Sequence, residues 1–319
     1  MKKATLKDIA LKAGVSVALV SNYLNRRPSA RMTEDTRKKI DEAVAELDYH
    51  GSAIARSLRT GKSKIIGYVS EALRTEVSQN EMLAIFDAAA AKKYQVFVAF
   101  SEERAKTLSN IQMLKERGCD AIIVSGYYDQ EFSEEICRSF KHIVILNTHP
   151  TARIPGKLLH YDYRKAFADA INHLQAKGHK EIIYQTTLNG YFEQRYLEFI
   201  SHFCEEKVWS IQSPSANDLQ EFLKNHPDCT AMLHLNDFIA MQTIQNCNKL
   251  NIRVPEDLAI VGFDNIHAAE CATPALSTIS RPLAEAASHA VGALVAQLNG
   301  EQYNLPENLS CKFIPRDSI

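Results

Sequence analysis

No Cys-x-x-Cys pair occurs among the seven cysteines of this 319-residue chain, and their number is odd. A disulfide framework and a structural zinc site are both disfavoured. Cys119, Cys137, Cys204, Cys229, Cys247, Cys271 and Cys311 are therefore expected as reduced, mostly buried packing residues. No apolar stretch follows Lys2 and Lys3, so no signal peptide is expected, and no run has the length of a membrane span. The chain reads as cytoplasmic, with no membrane partner. Nucleotide and hydrolase motifs are also missing. Gly61-Lys62-Ser63 ends like a P-loop, but Arg56 stands where that motif needs glycine. There is no G-x-G-x-x-G, G-x-S-x-G or H-E-x-x-H. The eleven histidines are scattered, and acidic pairs such as Glu102-Glu103 and Glu134-Glu135 read as solvated faces. No catalytic residue, metal site or cofactor is expected. The only tryptophan, Trp209, reads as a packing residue.

Net charge is only −1, which gives no hint of a polyanion partner for the chain as a whole but hides an asymmetry. Residues 1–63 hold 13 Lys and Arg against 7 Asp and Glu, a net of +6, whereas the rest holds 24 against 31, a net of −7. A basic head on an acidic body points to nucleic acid at one end.

The head shows helical periodicity. Leu6, Ile9, Ala10 and Ala13 share one apolar face, with Thr5 as N-cap and Gly14 supplying the turn that stops the helix. Ser16 caps a second helix running to about Asn25, with Leu19, Val20 and Leu24 available to face the first. Two helices joined through Ala-Gly-Val-Ser form a helix-turn-helix, whose second helix reads the major groove. A third helix starts near Thr33, favoured by Glu34 and Asp35 at its positive end, with Ile40, Ala43, Val44 and Leu47 as its core stripe. The segment from Gly51 to Arg59 is too short for a stable isolated helix. Ile54, Ala55 and Leu58 nevertheless share a face flanked by Arg56 and Arg59, a pattern that suits an apolar wedge in an opened minor groove.

These residues carry a resemblance. TLKDIA, AGVS, Val20-Ser21, Leu24-Asn25, Thr36-Arg37, AELDY and ARSLRTGKS occur in the order seen in the DNA-binding head of the lactose-repressor (LacI/GalR) family of bacterial transcription regulators. The resemblance implies a second helix that reads base edges and a hinge helix whose paired leucines kink the operator. On that basis Leu58 is the wedge, Ala55 packs the hinge pair and Arg56 flanks it. Ser16, Ser21 and Asn25 contact phosphates or fix docking, and Thr5 caps the first helix near the backbone.

Three departures stand out. The family commonly has Thr-Val-Ser-Arg where this chain has Leu19-Val20-Ser21-Asn22. Arginine grips guanine by two hydrogen bonds whereas asparagine prefers adenine, so Asn22 is expected to shift the operator preference from guanine toward adenine. Val17 and Ala18 either sit on thymine methyls or pack within the head. Gly51-Ser52 replaces the usual Pro-Asn, and glycine loosens that junction.

From Lys64 short β-rich runs alternate with helical patterns. Strands are expected at 65–70, 96–100, 121–124, 143–146, 182–185, 232–235 and 258–263, with helices including 82–93, 106–117, 164–177, 191–205, 238–251 and 283–299. Such alternation implies parallel sheets with helices on both faces. A break near 150–157 with a fresh cycle after it implies two similar lobes. Lys-Gly-His-Lys at 177–180, Asn236-Asp237, VPEDLAIVGFDN at 254–265 and TPALSTISRP at 273–282 extend the resemblance to the family's effector domain, whose fold is that of periplasmic sugar-binding proteins. The expected fold is thus a small all-α helix-turn-helix head plus an α/β periplasmic-binding-protein-like domain of two doubly wound parallel-sheet lobes. Its parts are a head over 1–50, a hinge over 51–63 and a two-lobed effector and dimerisation domain over 64–319. The lobe boundary is expected near 157–162, and the chain crosses back near 279–283.

By the same resemblance Asp162, Arg195 and Asp237 are expected to bind effector, as charge-assisted donors and acceptors for a polyhydroxylated ligand. Asp237 equally serves as a helix cap. The family's aromatic first-lobe loop is replaced by residues 75–82, which contain no aromatic; Tyr127, Tyr128, Tyr191 and Phe192 are alternative stacking or packing residues. The expected function is a homodimeric, ligand-responsive repressor on near-palindromic operator DNA. It controls a sugar-utilisation operon and is released by a sugar or sugar phosphate. The absence of a heptad tail favours a dimer over a tetramer. Alternatives are a regulator activated by a corepressor such as a purine, and a small-molecule binding protein of transport.

Overall fold

The computed structural model describes residues 4–24, 32–49, 57, 60–72, 74–100, 103–147, 149, 151–187, 195, 199, 201 and 207–319. The chain divides into two compact units, Met1–Ser63 and Lys64–Ile319.

The first unit holds α1 (Leu6–Ala13), α2 (Val17–Leu24) and α3 (Glu34–Glu46). Local chemistry fixes the ends of these helices. The Asp8 carboxylate accepts from the Thr5 amide at 2.8 Å and from its hydroxyl at 2.7 Å, closing the α1 start. Gly14 ends α1 at φ +67°, a left-handed conformation that glycine adopts without steric cost. Ser16 Oγ accepts from the Leu19 amide and Thr33 Oγ1 from the Thr36 amide, capping α2 and α3. Ile9, Ala10, Ala13, Val20, Ile40 and Ala43 form the buried core. Leu24 departs from expectation, being exposed rather than turned to α1. Tyr23 takes that role: its ring joins the core and its hydroxyl donates to Asp41 at 2.9 Å, tying α2 to α3.

The second unit contains β1 (Ile65–Ser70), α4 (Glu76–Ala91), β2 (Gln95–Phe100), α5 (Arg104–Glu116), β3 (Ala121–Ser125), α6 (Gln130–Ser139), β4 (Ile143–Leu146) and β5 (Leu158–Asp162). Then come α7 (Arg164–Ala176), β6 (Glu181–Thr186), β7 (Val208–Ser210), α8 (Ala216–Asn225), β8 (Cys229–His234), α9 (Asp237–Lys249) and β9 (Ala259–Phe263). The chain finishes with α10 (His267–Cys271), β10 (Ser277–Ser280), α11 (Leu283–Asn299), β11 (Asn308–Ser310) and β12 (Lys312–Ile314).

Two six-stranded sheets result, ordered β11-β5-β4-β3-β1-β2 and β12-β10-β9-β8-β6-β7. Among the described residues every pairing is parallel except β10 with β12. The central strands are buried on both faces, which is why β3, β4 and β9 read as unbroken apolar runs. In each sheet the strand order reverses once, between β1 and β3 in the first and between β6 and β8 in the second. Such reversals open crevices at the carboxyl ends of the strands.

The break at 150–157 does not separate the lobes, because β5 pairs with β4 in the first sheet. The chain passes to the second sheet between Asp162 and Arg164, returns between β10 and α11, and crosses again at Cys311, between β11 and β12. The Cys311 amide donates to the Asp162 carbonyl at 2.9 Å, so two of these crossings are hydrogen-bonded together. One apolar cluster runs through both lobes, from Ile66 and Tyr68 to Tyr184 and Phe263, and the Tyr163 ring meets Phe263 edge-on at 5.2 Å.

Residues 75–82, expected as a loop, begin α4 instead. Thr75 Oγ1 accepts from the Ser78 amide and starts the helix at Glu76. Trp209 stacks on Phe222 at 4.4 Å and packs half-buried against the second-lobe core. No helix among the described residues is long and apolar enough to cross a membrane. No group of three or more His, Cys, Asp and Glu side chains among them is arranged to hold a metal.

Candidate functional site

Two regions concentrate chemistry, one in each unit. In the first, Val17 and Ala18 stand exposed on the opening turn of α2, while Val20, one turn on, is fully buried. Packing therefore does not account for Val17 and Ala18. Ser21 and Asn22 are half-buried, and Thr5 and Ser16 are the caps described above. Lys12 pairs with Glu46, bracing α1 on α3 behind this surface. The arrangement gives α2 a row of small, apolar and amide side chains, a form that fits a base-pair edge. Asn25, Ala55, Arg56 and Leu58, with Gly51 and Ser52, lie outside the described residues.

The second region is a cleft of about 570 Å³ between the two sheets of the second unit. It gathers the carboxyl ends of strands: Ser70 and Glu71 after β1, Ser125 and Gly126 after β3, and Asn147 after β4. From the other lobe come Asn236 and Asp237 after β8, Asp264 after β9 and Arg281 after β10. Both switch-point crevices thus open into one space.

Asp264 is the centre of the second-lobe wall. Its Oδ1 accepts from Arg195 at 2.9 Å and from Arg281 at 3.1 Å, with all three side chains nearly buried. Arg195 also donates to the Leu235 carbonyl and lies 3.6 Å from the Phe263 ring centroid, a cation–π stack. The Arg281 guanidinium lies 5.4 Å from the centroid of the Tyr161 ring. Asp264 and Asn265 sit at φ +116° and +52°, consecutive positive values in non-glycine residues. Backbone of this kind costs about 1–3 kcal/mol per residue and persists only where the surroundings hold it, typically at ligand clamps. Here the surroundings do so: Asn265 N–H donates to Thr278 Oγ1 at 3.2 Å and Arg316 donates to Asn265 Oδ1 at 2.7 Å.

Asp237 is fully buried at the start of α9. Its Oδ1 accepts from the Thr278 hydroxyl at 2.5 Å and its Oδ2 from the Ile266 amide at 2.9 Å. Burial raises its carboxyl to about 6 against an ordinary 3.8, although both donors and nearby Arg195 favour the ionised form. The N-cap of α9 is Asn236, whose Oδ1 accepts from the Ile239 amide at 2.9 Å. Gly262 makes room for Asp237, since a Cβ there would strike the carboxylate and the Leu276 side chain.

On the first-lobe wall Glu81, on α4, accepts from the Tyr68 hydroxyl at 2.7 Å in the interior. Burial likewise raises the Glu71 carboxyl, opposed by hydrogen bonding from Tyr128. Donors, acceptors and carboxylates on both walls, with Phe238 and Met241 as apolar surface, suit a small polar ligand rather than a lipid.

Of the residues expected to bind effector, Arg195 and Asp237 line the cleft and Asp162 does not. The Asp162 carboxylate is turned onto Arg164, accepting from Nε at 2.9 Å and from the terminal nitrogen at 2.7 Å. That hydrogen bonding holds the Asp162 carboxyl below its ordinary value. Tyr128 is fully buried behind the first-lobe wall, its hydroxyl against Gly126 and Glu71, and Tyr127 packs on His149 at 5.2 Å, while Tyr191 and Phe192 fall outside the described residues. Asp264, Arg281 and Asn147 went unnamed by sequence reasoning. Asp264 lay within VPEDLAIVGFDN and Arg281 within TPALSTISRP, runs read for the fold and not for ligand contact, while Asn147 directly follows a strand-forming run.

Comparison with known proteins completes the picture. Residues 5–52 match the model of bacterial regulatory proteins of the lacI family, and residues 171–319 match that of the periplasmic binding protein-like domain. The chain is 26% identical to the HTH-type transcriptional repressor PurR of Mannheimia succiniciproducens over 310 residues, 92% of each chain. It is 28% identical to the ribose operon repressor of Haemophilus influenzae over 322 residues, 94% of each. Among solved structures, the lac repressor dimer bound to operator and the anti-inducer ONPF superposes with a TM-score of 0.85 at 22% identity, covering 99% of both chains, which shows a shared fold.

Proposed function

The chain belongs to the LacI family of bacterial regulatory proteins, ligand-responsive DNA-binding transcriptional repressors, and on that premise we propose a homodimeric cytoplasmic repressor released by a small polyhydroxylated effector. Each subunit contributes one head to half of a near-palindromic operator, with α2 in the major groove, Asn22 on a base edge and Leu58 as the central wedge. The effector class is a sugar or sugar phosphate. The observation that carries this reading is the cleft itself, where Arg195 and Asp264, with Asn147 opposite, present charged and amide groups to hydroxyls. Similarity to a ribose operon repressor supports a sugar.

The dimer reading draws on exposed apolar side chains in the first lobe. Leu83 and Phe86 on α4 and Phe97, Val98 and Phe100 on edge strand β2 are more than a third exposed. An uncovered apolar edge strand is an aggregation hazard unless a second copy covers it. Effector binding selects one lobe arrangement over another, and repression is relieved to the extent that the effector's affinity for the two differs.

The test is selection of bound sites from random DNA by the full chain, followed by titration of the selected duplex with sugars, sugar phosphates and purines present. A sugar or sugar phosphate that weakens binding at least tenfold is the expected outcome. A purine that tightens binding would instead make the protein a corepressor-dependent regulator.

A further inference from the structure

Glu76 and His267 lie 191 positions apart in sequence and on opposite lobes, yet they meet at the mouth of the cleft. Glu76 opens α4 in the first lobe, and its Oε1 accepts the backbone N–H of His267, the first residue of α10 in the second. We propose that this contact is a latch: the Glu76 carboxylate biases the effector-free lobes toward the closed arrangement, making Glu76 a positioning residue for closure. The inference rests on the reading of the cleft as the effector site.

Both sides of the contact are held in place. Glu76 follows the cap Thr75, whose hydroxyl is hydrogen-bonded to the Ser78 hydroxyl and amide, so the first turn of α4 is fixed. The His267 amide emerges from Asp264, Asn265 and Ile266, and each of the three is tied to a separate element. Asp264 accepts from Arg195 and Arg281, Asn265 is held by Thr278 and Arg316, and the Ile266 amide donates to Asp237. The latch amide is therefore the end of the same strained loop that forms the second-lobe wall. A ligand that draws on Asp264 or Arg195 acts on the loop that presents His267, and separation of the lobes breaks the contact. A carboxylate acceptor makes the bond charge-assisted, and at this exposed position such a bond shifts a two-state equilibrium by roughly twofold to tenfold.

Amide hydrogen exchange on the full-length, effector-free protein reads the latch directly and needs no knowledge of the effector. Glu76→Ala is expected to speed exchange at His267 by about threefold to tenfold, and also to raise exchange across both cleft rims, residues 70–78 and 236–241. Core peptides of β8 and β9 should stay protected, showing an intact fold. Glu76→Gln keeps an acceptor without the charge and should fall between the two. Unchanged exchange at His267 in the Ala variant would remove the contact. Faster exchange at His267 with both rims unaltered would leave a surface hydrogen bond that does not govern closure. Either result would overturn the latch while leaving the effector assignment standing.

Discussion

Two buried groups in the second lobe titrate with opposite consequences, and separating them by mutation tests the assignment of the interior. His234, at the end of β8, is held down to about 4 from an ordinary 6.5, with burial as the leading cause. Between those values the unfolded chain takes up the proton and the folded chain does not, so stability falls as pH drops from 6.5 to 4. The displacement corresponds to about 3 kcal/mol at about 1.4 kcal/mol per pH unit. Asp237, three residues on, is raised to about 6 from 3.8. Between these values the folded chain holds the proton, so stability rises as pH drops from 6 to 3.8, again by about 3 kcal/mol. In the native protein the two contributions nearly cancel.

His234→Leu removes one side of the balance. Relative to wild type, its unfolding free energy should increase by about 3 kcal/mol between pH 7 and pH 4. Asp237→Asn should show the reverse, losing about 3 kcal/mol over the same interval. Its amide oxygen can keep the Ile266 N–H while its amide nitrogen donates to the Thr278 hydroxyl, so the pH-dependent loss should dominate over any constant cost. Urea titrations followed by Trp209 fluorescence report the relevant lobe, since β7 pairs with β6 in the second sheet. Other carboxylates contribute equally to variant and wild type and drop out of the difference. Difference curves that stay flat with pH for both variants would refute the placement of these groups as buried, opposed titrants.

Other expectations are more local. Gly262→Ala drives a Cβ into the Asp237 carboxylate and to 2.9 Å from the Leu276 side chain, so it should cost about 2 kcal/mol in urea denaturation. Arg195→Lys replaces a planar fork that bonds Asp264 and the Leu235 carbonyl while stacking on Phe263; effector affinity by calorimetry should fall at least about tenfold. Asn22→Arg should move the preferred base from adenine to guanine at one position of the selected site, with the rest of the site unchanged.

How much of this was legible beforehand depended on the range of the forces involved. The head was readable because its determinants are local: Thr5 with Asp8, Gly14 at positive φ, and the Ile9, Ala10 and Ala13 face all act within a few residues. Leu24 misled because its periodicity matched the core stripe, while Tyr23 could satisfy both the core and Asp41. Buried central strands announced themselves as apolar runs. Strand β10 did not, since Ser277 and Thr278 are buried polar residues serving Arg316, Asn265 and Asp237. Strands β7, β11 and β12, of three residues each, carry too little pattern to be seen.

The cleft shows the same divide. Asp162 fitted a motif, but Arg164, two residues on, takes its carboxylate. Asp264 lay inside the VPEDLAIVGFDN run without being singled out; what defines it is Arg195 and Arg281, which reach it from 69 and 17 residues away. The Glu76–His267 contact, spanning 191 residues, lies beyond any local pattern.

Operator binding by the full-length chain, with and without effector, in wild type and Asp264→Asn bears most directly on control of the head by the cleft. The substitution keeps a residue that tolerates positive φ but removes the charge shared by Arg195 and Arg281. Effector should weaken wild-type binding at least about tenfold and leave Asp264→Asn nearly unaffected, with both proteins binding equally well without effector. An equal effector response in both proteins would contradict the assignment of this cleft as the regulatory site.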